Sequence, residues 1–345
     1  MANLGLKERY DFQQWIIKDL MEKNGYSQRD AAQYNSRLAM DEELLWDFLM
    51  ETQEETMDYL LKKLSKETII TLINKEIVKG GFLFALKEGV FIENKQLRLL
   101  YRKPATSFNE KAVQQYKANR LSVIEEVVYE EGGRIDLVIF INGLALFAIE
   151  LKFNPSGQSV QDAIKQLKGR NPNNRLFRFE QGVLASFAVD TMEIYMTTQL
   201  KSQETYFLPF NMGKGEGIDM GSGNPHNPNG VDTEYLWLDV LTKDSILQLI
   251  ESFIFFEIDK NDSKKRTLIF PRYHQRRAVS RILEDMKVNH TDSNYLIQHS
   301  AGSGKTNTIA WLAHSLVSLH DDQNRNIVDT VLIVTDRIVV DRQLQ

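Results

Sequence analysis

Apolar positions along the chain keep two different periods. Leu44, Leu45, Phe48 and Leu49, continued by Met57, Leu60, Leu61 and Leu64, repeat every three to four residues, which predicts a helix from Asp41 to Leu64. Asp41 suits the N-cap, with Glu42 and Glu43 behind it in the first turn. A shorter apolar stretch (Trp15, Ile16, Ile17, Leu20) marks a helix inside the otherwise polar segment 8–34. From Val123 the pattern changes. Val123–Tyr129, Ile135–Ile141 and Leu144–Leu151 are rich in Val, Ile, Leu and Phe and read as strands, the last two joined by the hairpin signal Asn142-Gly143. Ser159–Lys168 reads as helix, and Val183–Val189 and Glu193–Met196 as further strands. The order implies an α/β layer. Asn211–Gly230 carries six glycines and reads as a long loop, more in keeping with disorder than with packing.

The polar, charged run Asp259–Arg266 divides the chain into a first domain, 1–260, and the start of a second, 261–345. The second block predicts a helix over Gln275–Met286, a short strand over Tyr295–Gln298, a loop over Ser300–Gly304 and a helix over Lys305–Leu316. Thr330–Val334 then reads as a parallel strand buried on both faces, giving the strand–loop–helix–strand unit of a nucleotide-binding fold.

Composition narrows the picture. With 345 residues, 42% of them hydrophobic, the chain can bury more than one core. It has no cysteine, so disulfides and thiolate metal sites are ruled out. No apolar run approaches the ~20 residues of a membrane helix, and Met1–Arg9 has no apolar signal core; a cytoplasmic location fits. The net charge of −5 is not that of a nucleic-acid-binding chain, so any DNA contact needs local basic patches or partner subunits.

Two constellations carry chemistry. His299-Ser300-Ala301-Gly302-Ser303-Gly304-Lys305-Thr306 has the make-up of a phosphate-binding loop. The glycines (Gly302, Gly304) and Ser303 let backbone N–H groups wrap around phosphate, Lys305 reaches the β- and γ-phosphates of ATP, and the Thr306 hydroxyl serves as a Mg²⁺ ligand. His299 stands where the consensus has its first glycine. The other constellation lies on the Asn-Gly hairpin. Asp136 sits at the start of one strand and Glu150 and Lys152, on one face, at the end of the other. A strict two-residue turn pairs Asp136 with Ile149 and sends Glu150 to the opposite face; convergence needs a three-residue turn or a bulge. Given that, two carboxylates offer Mg²⁺ the ligands it prefers, and Lys152 can orient water or neutralise charge on a phosphate. Solvated charges on a strand end are the alternative, disfavoured by the apolar Phe147-Ala148-Ile149 and Phe153 around them.

The Asp136…Glu150-x-Lys152 pattern resembles the PD-(D/E)xK nucleases. Pro271-Arg272-Tyr273-His274-Gln275 is similar to the adenine-reading segment of superfamily 2 helicases, with Gln275 the base contact, and Thr335-Asp336-Arg337 to their DNA-backbone motif Ia. Taken with Ala118–Leu121, Ile135–Gly143 and Ile149–Lys152, these segments resemble the restriction (motor and nuclease) subunits of type I restriction-modification enzymes from about Asp41 onward. The resemblance implies a PD-(D/E)xK-type α/β domain followed by an incomplete RecA-like domain with a parallel sheet. It also implies double-stranded DNA as substrate, Mg²⁺ and ATP as cofactors, and methyltransferase and specificity subunits as partners. Another nuclease–helicase fusion, acting in repair, and a non-catalytic DNA or subunit clamp remain as alternatives. Many such nucleases carry Gln-x-x-x-Tyr on the helix after the lysine strand; here Gln166 is followed by Arg170. Gln166 is retained as a site residue, and the tyrosine's role is unassigned. Glu42 and Glu43 are candidates for an upstream glutamate that often completes such sites, and Lys165, Lys168, Arg170, Arg175 and Arg178 for phosphate contacts. The sequence reaches Gln345 before any acidic ATPase motif or second motor lobe, so this stretch by itself is expected to bind nucleotide weakly and not to hydrolyse it.

Overall fold

All residues of Leu144–Leu151 are buried, and the architecture is arranged around that strand. The fold comes from a computed structural model that describes residues 9–215, 221–259, 262, 265–300, 302–321 and 323–334. Helix α1 (Arg9–Asn24) is followed by short strands β1 (Ser27–Arg29), β2 (Tyr34–Asn35) and β3 (Met40–Asp41). Helices α2 (Glu42–Thr52), α3 (Glu54–Leu61), α4 (Lys66–Gly80) and α5 (Phe82–Glu88) come next, then a small hairpin of β4 (Val90–Ile92) and β5 (Lys95–Leu97) and helix α6 (Glu110–Lys117). The main strands are β6 (Leu121–Glu130), β7 (Gly133–Ile141) and β8 (Leu144–Leu151); helix α7 (Val160–Lys168) crosses to β9 (Ala185–Val189), β10 (Ile194–Thr197) and β11 (Leu208–Pro209). Helix α8 (Lys243–Gln248), a hairpin of β12 (Phe255–Ile258) and β13 (Arg266–Ile269), and helices α9 (Tyr273–Asn289) and α10 (Lys305–Val317) are the remaining described α-helices and strands.

The nine-stranded sheet runs β1-β6-β7-β8-β9-β10-β11, with β3 attached to β8 and β2 to β3. β6, β7 and β8 are antiparallel neighbours, and β8 and β9 are parallel, as a helical crossover requires. One face packs on α1–α5 and on residues 231–286; the other carries α7, with Val160, Ala163 and Leu167 against Val138, Phe140 and Ala148. The Asn-Gly turn forms as expected, with φ +49° at Asn142 and +80° at Gly143. A Cβ at Gly143 would stand 2.3 Å from the Asp41 carbonyl oxygen, so the turn and the start of α2 lock together.

Tertiary contacts overrule local pattern at several places. Asp41 caps α2 by accepting from the Leu44 N–H at 3.0 Å, but the helix expected to run to Leu64 breaks at Gln53 and restarts as α3. The Gln53 amide is spent bridging the Arg98 backbone, donating to its carbonyl at 2.9 Å and accepting from its N–H at 2.8 Å. The Asn211–Gly230 loop is packed rather than loose at its described ends, because buried Asn224 accepts from the Met212 N–H and donates to the Met192 carbonyl.

The second block departs further. Its helices form where expected, but Tyr295–Gln298 and Thr330–Val334 pair with no strand among the described residues, which form no parallel sheet there. A parallel strand depends on neighbours on its edges and cover on its faces; here Leu296, Leu332 and Val334 are 94%, 83% and 84% exposed. No helix among the described residues is long and apolar enough to cross a membrane.

Candidate active site

The hairpin meets its register requirement by a bulge. Ile141 pairs with Leu144 and Phe140 with Ala145 beside the turn, but Ile139 pairs with Phe147 and Leu137 with Ile149. Leu146 is the inserted residue. Leu146 and Phe147 consequently both face the helical core, while Ala145 and Ala148 face α7. Past the bulge Asp136 lies opposite Glu150, and both point to the α7 side.

The structure brings together Asp136, Glu150, Lys152 and Gln166. One Asp136 oxygen accepts from the Leu151 N–H at 2.7 Å. Glu150 has no exposed surface; its two oxygens meet Lys152 Nζ at 3.3 Å and Arg170 Nη2 at 2.8 Å. Lys152 Nζ also donates to Gln166 Oε1 at 2.7 Å and to the Leu151 carbonyl at 3.1 Å. Burial, and then the neighbouring Asp136 charge, push the Glu150 carboxyl up to about 7, against the pull of Arg170 and Lys152. Two adjoining cavities, of about 540 and 570 Å³, open onto the site and share Lys152, Gln166, Arg170 and the Gly132-Gly133 turn.

Three neighbours had not been foreseen. Arg9 of α1 pairs with Asp136 and with Glu126 of β6, the latter at 3.2 Å. Glu126 stands across from Asp136 with φ +51°, and Arg134 holds its other oxygen at 2.6 Å. Tyr129 of β6 accepts from Arg170 Nη1 at 3.1 Å. No local pattern marks Arg9, which arrives from 127 residues away; Glu126 and Tyr129 were within reach of the strand register once β6 was paired with β7.

Other candidates are placed elsewhere. Glu42 and Glu43 begin α2 beside Gly143, at the turn end of the hairpin, and bond Asn35 and Arg29. Seven residues of strand, about 23 Å, separate them from Asp136, so neither completes the site. Arg175 is turned inward onto Asn74 and the Gln181 carbonyl and is buried enough to lower its pKa to about 10, which removes it from the phosphate candidates. Lys165 does line the cavity.

The donor set suits Mg²⁺. Mg²⁺ commonly takes one or two carboxylates and completes its shell with water, and Asp136 and Glu150, here paired with Arg9 and with Lys152 and Arg170, are groups of that kind. Among the described residues no group of three or more His, Cys, Asp or Glu is arranged to hold a metal, so an ion at this site would rest on Asp136 and Glu150 with water completing its shell.

The phosphate-loop residues sit between α9 and α10. Gly302 and Gly304 have φ +73° and +79°, and Lys305 and Thr306 begin α10. Lys305 Nζ folds back onto the His299 and Ser300 carbonyls at 3.0 and 2.9 Å. Gln275 is buried with both ends of its amide engaged. It accepts from the Arg272 N–H at 2.8 Å and donates to the Ser303 and Gly304 carbonyls at 3.2 and 2.9 Å. It tethers the loop instead of standing open to a base. Thr335-Asp336-Arg337 lies outside the described residues.

A nuclease-like α/β domain leading into a helicase-like ATPase domain is the class that this arrangement and the family matches support. The family described as "Type I restriction enzyme R protein N terminus" matches residues 7–205, and "Type III restriction enzyme, res subunit" matches 268–345. The chain belongs to the type I restriction enzyme R protein family. Among relatives, a "Putative type I restriction enzyme MjaVIIIP endonuclease subunit" of Methanocaldococcus jannaschii is 24% identical over 93% of this chain and 29% of its own length. The MjaIXP endonuclease subunit of the same organism is 23% identical over 98% of this chain and 34% of its own. A Staphylococcus aureus (strain COL) type I endonuclease subunit is 26% identical over 66% of this chain and 22% of its own. The chain thus spans about a third or less of the length of these curated relatives.

Proposed function

We propose that the chain is the nuclease end, and the first part of the motor, of an ATP-dependent type I site-specific deoxyribonuclease that cuts double-stranded DNA. The observation that carries this reading is the bulge at Leu146, which places Asp136 opposite Glu150 with Lys152 and Gln166 beside them. Asp136 and Glu150 are the Mg²⁺ ligands. Held there, Mg²⁺ would supply Lewis-acid polarisation of a phosphodiester and a source of hydroxide. Lys152 puts a fixed positive charge beside the carboxylates, where charge develops on the phosphate. Gln166 holds the lysine ammonium in that direction, and the Asp136–Leu151 hydrogen bond fixes the aspartate rotamer. Lys165, on the cavity rim, meets the DNA backbone.

The second domain, from about residue 261, binds ATP through Gly302, Ser303, Gly304 and Lys305, with Thr306 toward Mg²⁺ and Gln275 supporting the loop. Methyltransferase and specificity subunits supply site recognition and the basic surface that a chain of net charge −5 lacks. A cytoplasmic location goes with this reading. The test is linearisation of plasmid DNA by the full-length subunit assembled with both partners, in Mg²⁺ and ATP, with Asp136→Ala and Lys152→Ala beside wild type. Loss of cutting with ATPase retained is the expected result. Wild-type cutting by both variants would show that the hairpin charges are structural.

A further inference from the structure

Helix α7 ends with a tight turn in which the Arg170 N–H donates to the Leu167 carbonyl at 3.1 Å, so the helical path continues through Gln166 to Arg170. Residues four apart on such a path share a face. Arg170 therefore occupies the position at which related nucleases place a tyrosine, and its side chain, 11% exposed, is committed to the site. Nη2 meets Glu150 at 2.8 Å and Nη1 meets the Tyr129 hydroxyl at 3.1 Å. The guanidinium lies over the Tyr129 ring, 5.6 Å from its centroid. Tyr129 is fixed in turn by an edge-on contact with Phe177, ring centres 5.0 Å apart at 84°. Tyr129 and Arg170 line the same cavity as Lys152 and Gln166. Burial holds the phenol above its ordinary pKa, so the hydroxyl keeps its proton at neutral pH.

We infer that Tyr129, supplied by strand β6, positions Arg170 and, through it, the Glu150 carboxylate. Tyr129 and Arg170 are positioning residues. Tyr129 fixes the plane of the guanidinium, and the guanidinium fixes the direction in which the Glu150 carboxylate is presented. A ligand's hydrogen-bonding partner of this kind commonly changes metal affinity by about 10–100-fold when it is lost. The inference rests on the metal-site reading above.

The test is Mn²⁺ titration of this chain followed by electron paramagnetic resonance of free and bound ion, in wild type, Tyr129→Phe, Arg170→Gln, Arg170→Lys and Asp136→Ala. Phe keeps the ring contact with Phe177 and removes only the hydroxyl, so packing alone predicts no change. The expected result is weakening by about fivefold for Tyr129→Phe, the loss of one hydrogen bond near 1 kcal/mol, and by about tenfold or more for Arg170→Gln. Arg170→Lys should recover part of the loss, and Tyr129→Phe should add nothing in the Arg170→Gln background. If Tyr129→Phe and Arg170→Gln bind Mn²⁺ as wild type does while Asp136→Ala does not bind, the inference is wrong and the metal site stands. If Asp136→Ala also binds as wild type, the metal-site reading itself fails. Should Arg170→Gln lose its fold by circular dichroism, Tyr129→Phe decides the matter alone.

Discussion

Glu150→Gln tests the cost of holding a buried carboxylate beside Asp136 against the ion pairs it makes with Lys152 and Arg170. Glu150 titrates near 7 in the folded chain, against an ordinary 4.5. Between those values the folded protein keeps a proton that the unfolded chain has released, so stability falls as pH rises through this window and is level above it. The difference corresponds to on the order of 3 kcal/mol. Glutamine has the shape of the protonated side chain and does not titrate. At pH 5 the two proteins should therefore unfold close together; by pH 8 the variant should be the more stable by on the order of 5 °C in a chain of this size. Thermal unfolding in a chelator, from pH 5 to pH 8, measures the gap directly. Mg²⁺ supplies the reciprocal arm: it should stabilise wild type far more at pH 8 than at pH 5.5, because binding displaces the proton. It should have little effect on the variant. A gap that does not widen with pH refutes the argument, since Glu150 would then be ionised, and satisfied, without a metal.

Arg9→Ala removes the cation that now pairs with Asp136 and Glu126; because that pair is partly exposed, about 1 kcal/mol is at stake, and Mn²⁺ should bind about fivefold tighter in a titration. Unchanged or weaker binding would mean that Arg9 does not compete for the site. Gly143→Ala meets both a positive φ and a backbone clash with Asp41, and should lower stability by about 3 kcal/mol in urea unfolding; a loss under 1 kcal/mol would contradict the locked turn. Gln275→Ala frees the Ser303 and Gly304 carbonyls, at about 1–2 kcal/mol, and should weaken binding of a fluorescent ATP analogue; equal affinity would show that the tether does not shape the loop.

Much of the sheet was legible because runs rich in Val, Ile, Leu and Phe and the Asn-Gly pair are local signals. The need for a bulge was legible too, as a parity argument between Asp136 and Glu150. Its place at Leu146 was not, because Leu144–Ala148 is apolar throughout and no polar residue marks the change of face. The break at Gln53 depends on Arg98, and the Arg9 and Tyr129 contacts on chain segments far apart, so no window along the sequence contains them. Tyr295–Gln298 and Thr330–Val334 failed in the opposite way. Their composition is that of buried strands, but composition states what a segment prefers and not whether a neighbour is there to pair with it.

The β12–β13 hairpin has a mechanical consequence. Phe270, just beyond it, is packed edge-on against Phe147 of β8 and Phe187 of β9, and Tyr273 at the head of α9 against Phe210 and Tyr235. Arg276 anchors the same helix to Asp239 through two bonds of 2.8 and 2.9 Å. A pull on α9 is therefore not taken up by a slack tether. It passes through these ring contacts to β8 and β9, and β8 is the strand that carries Glu150.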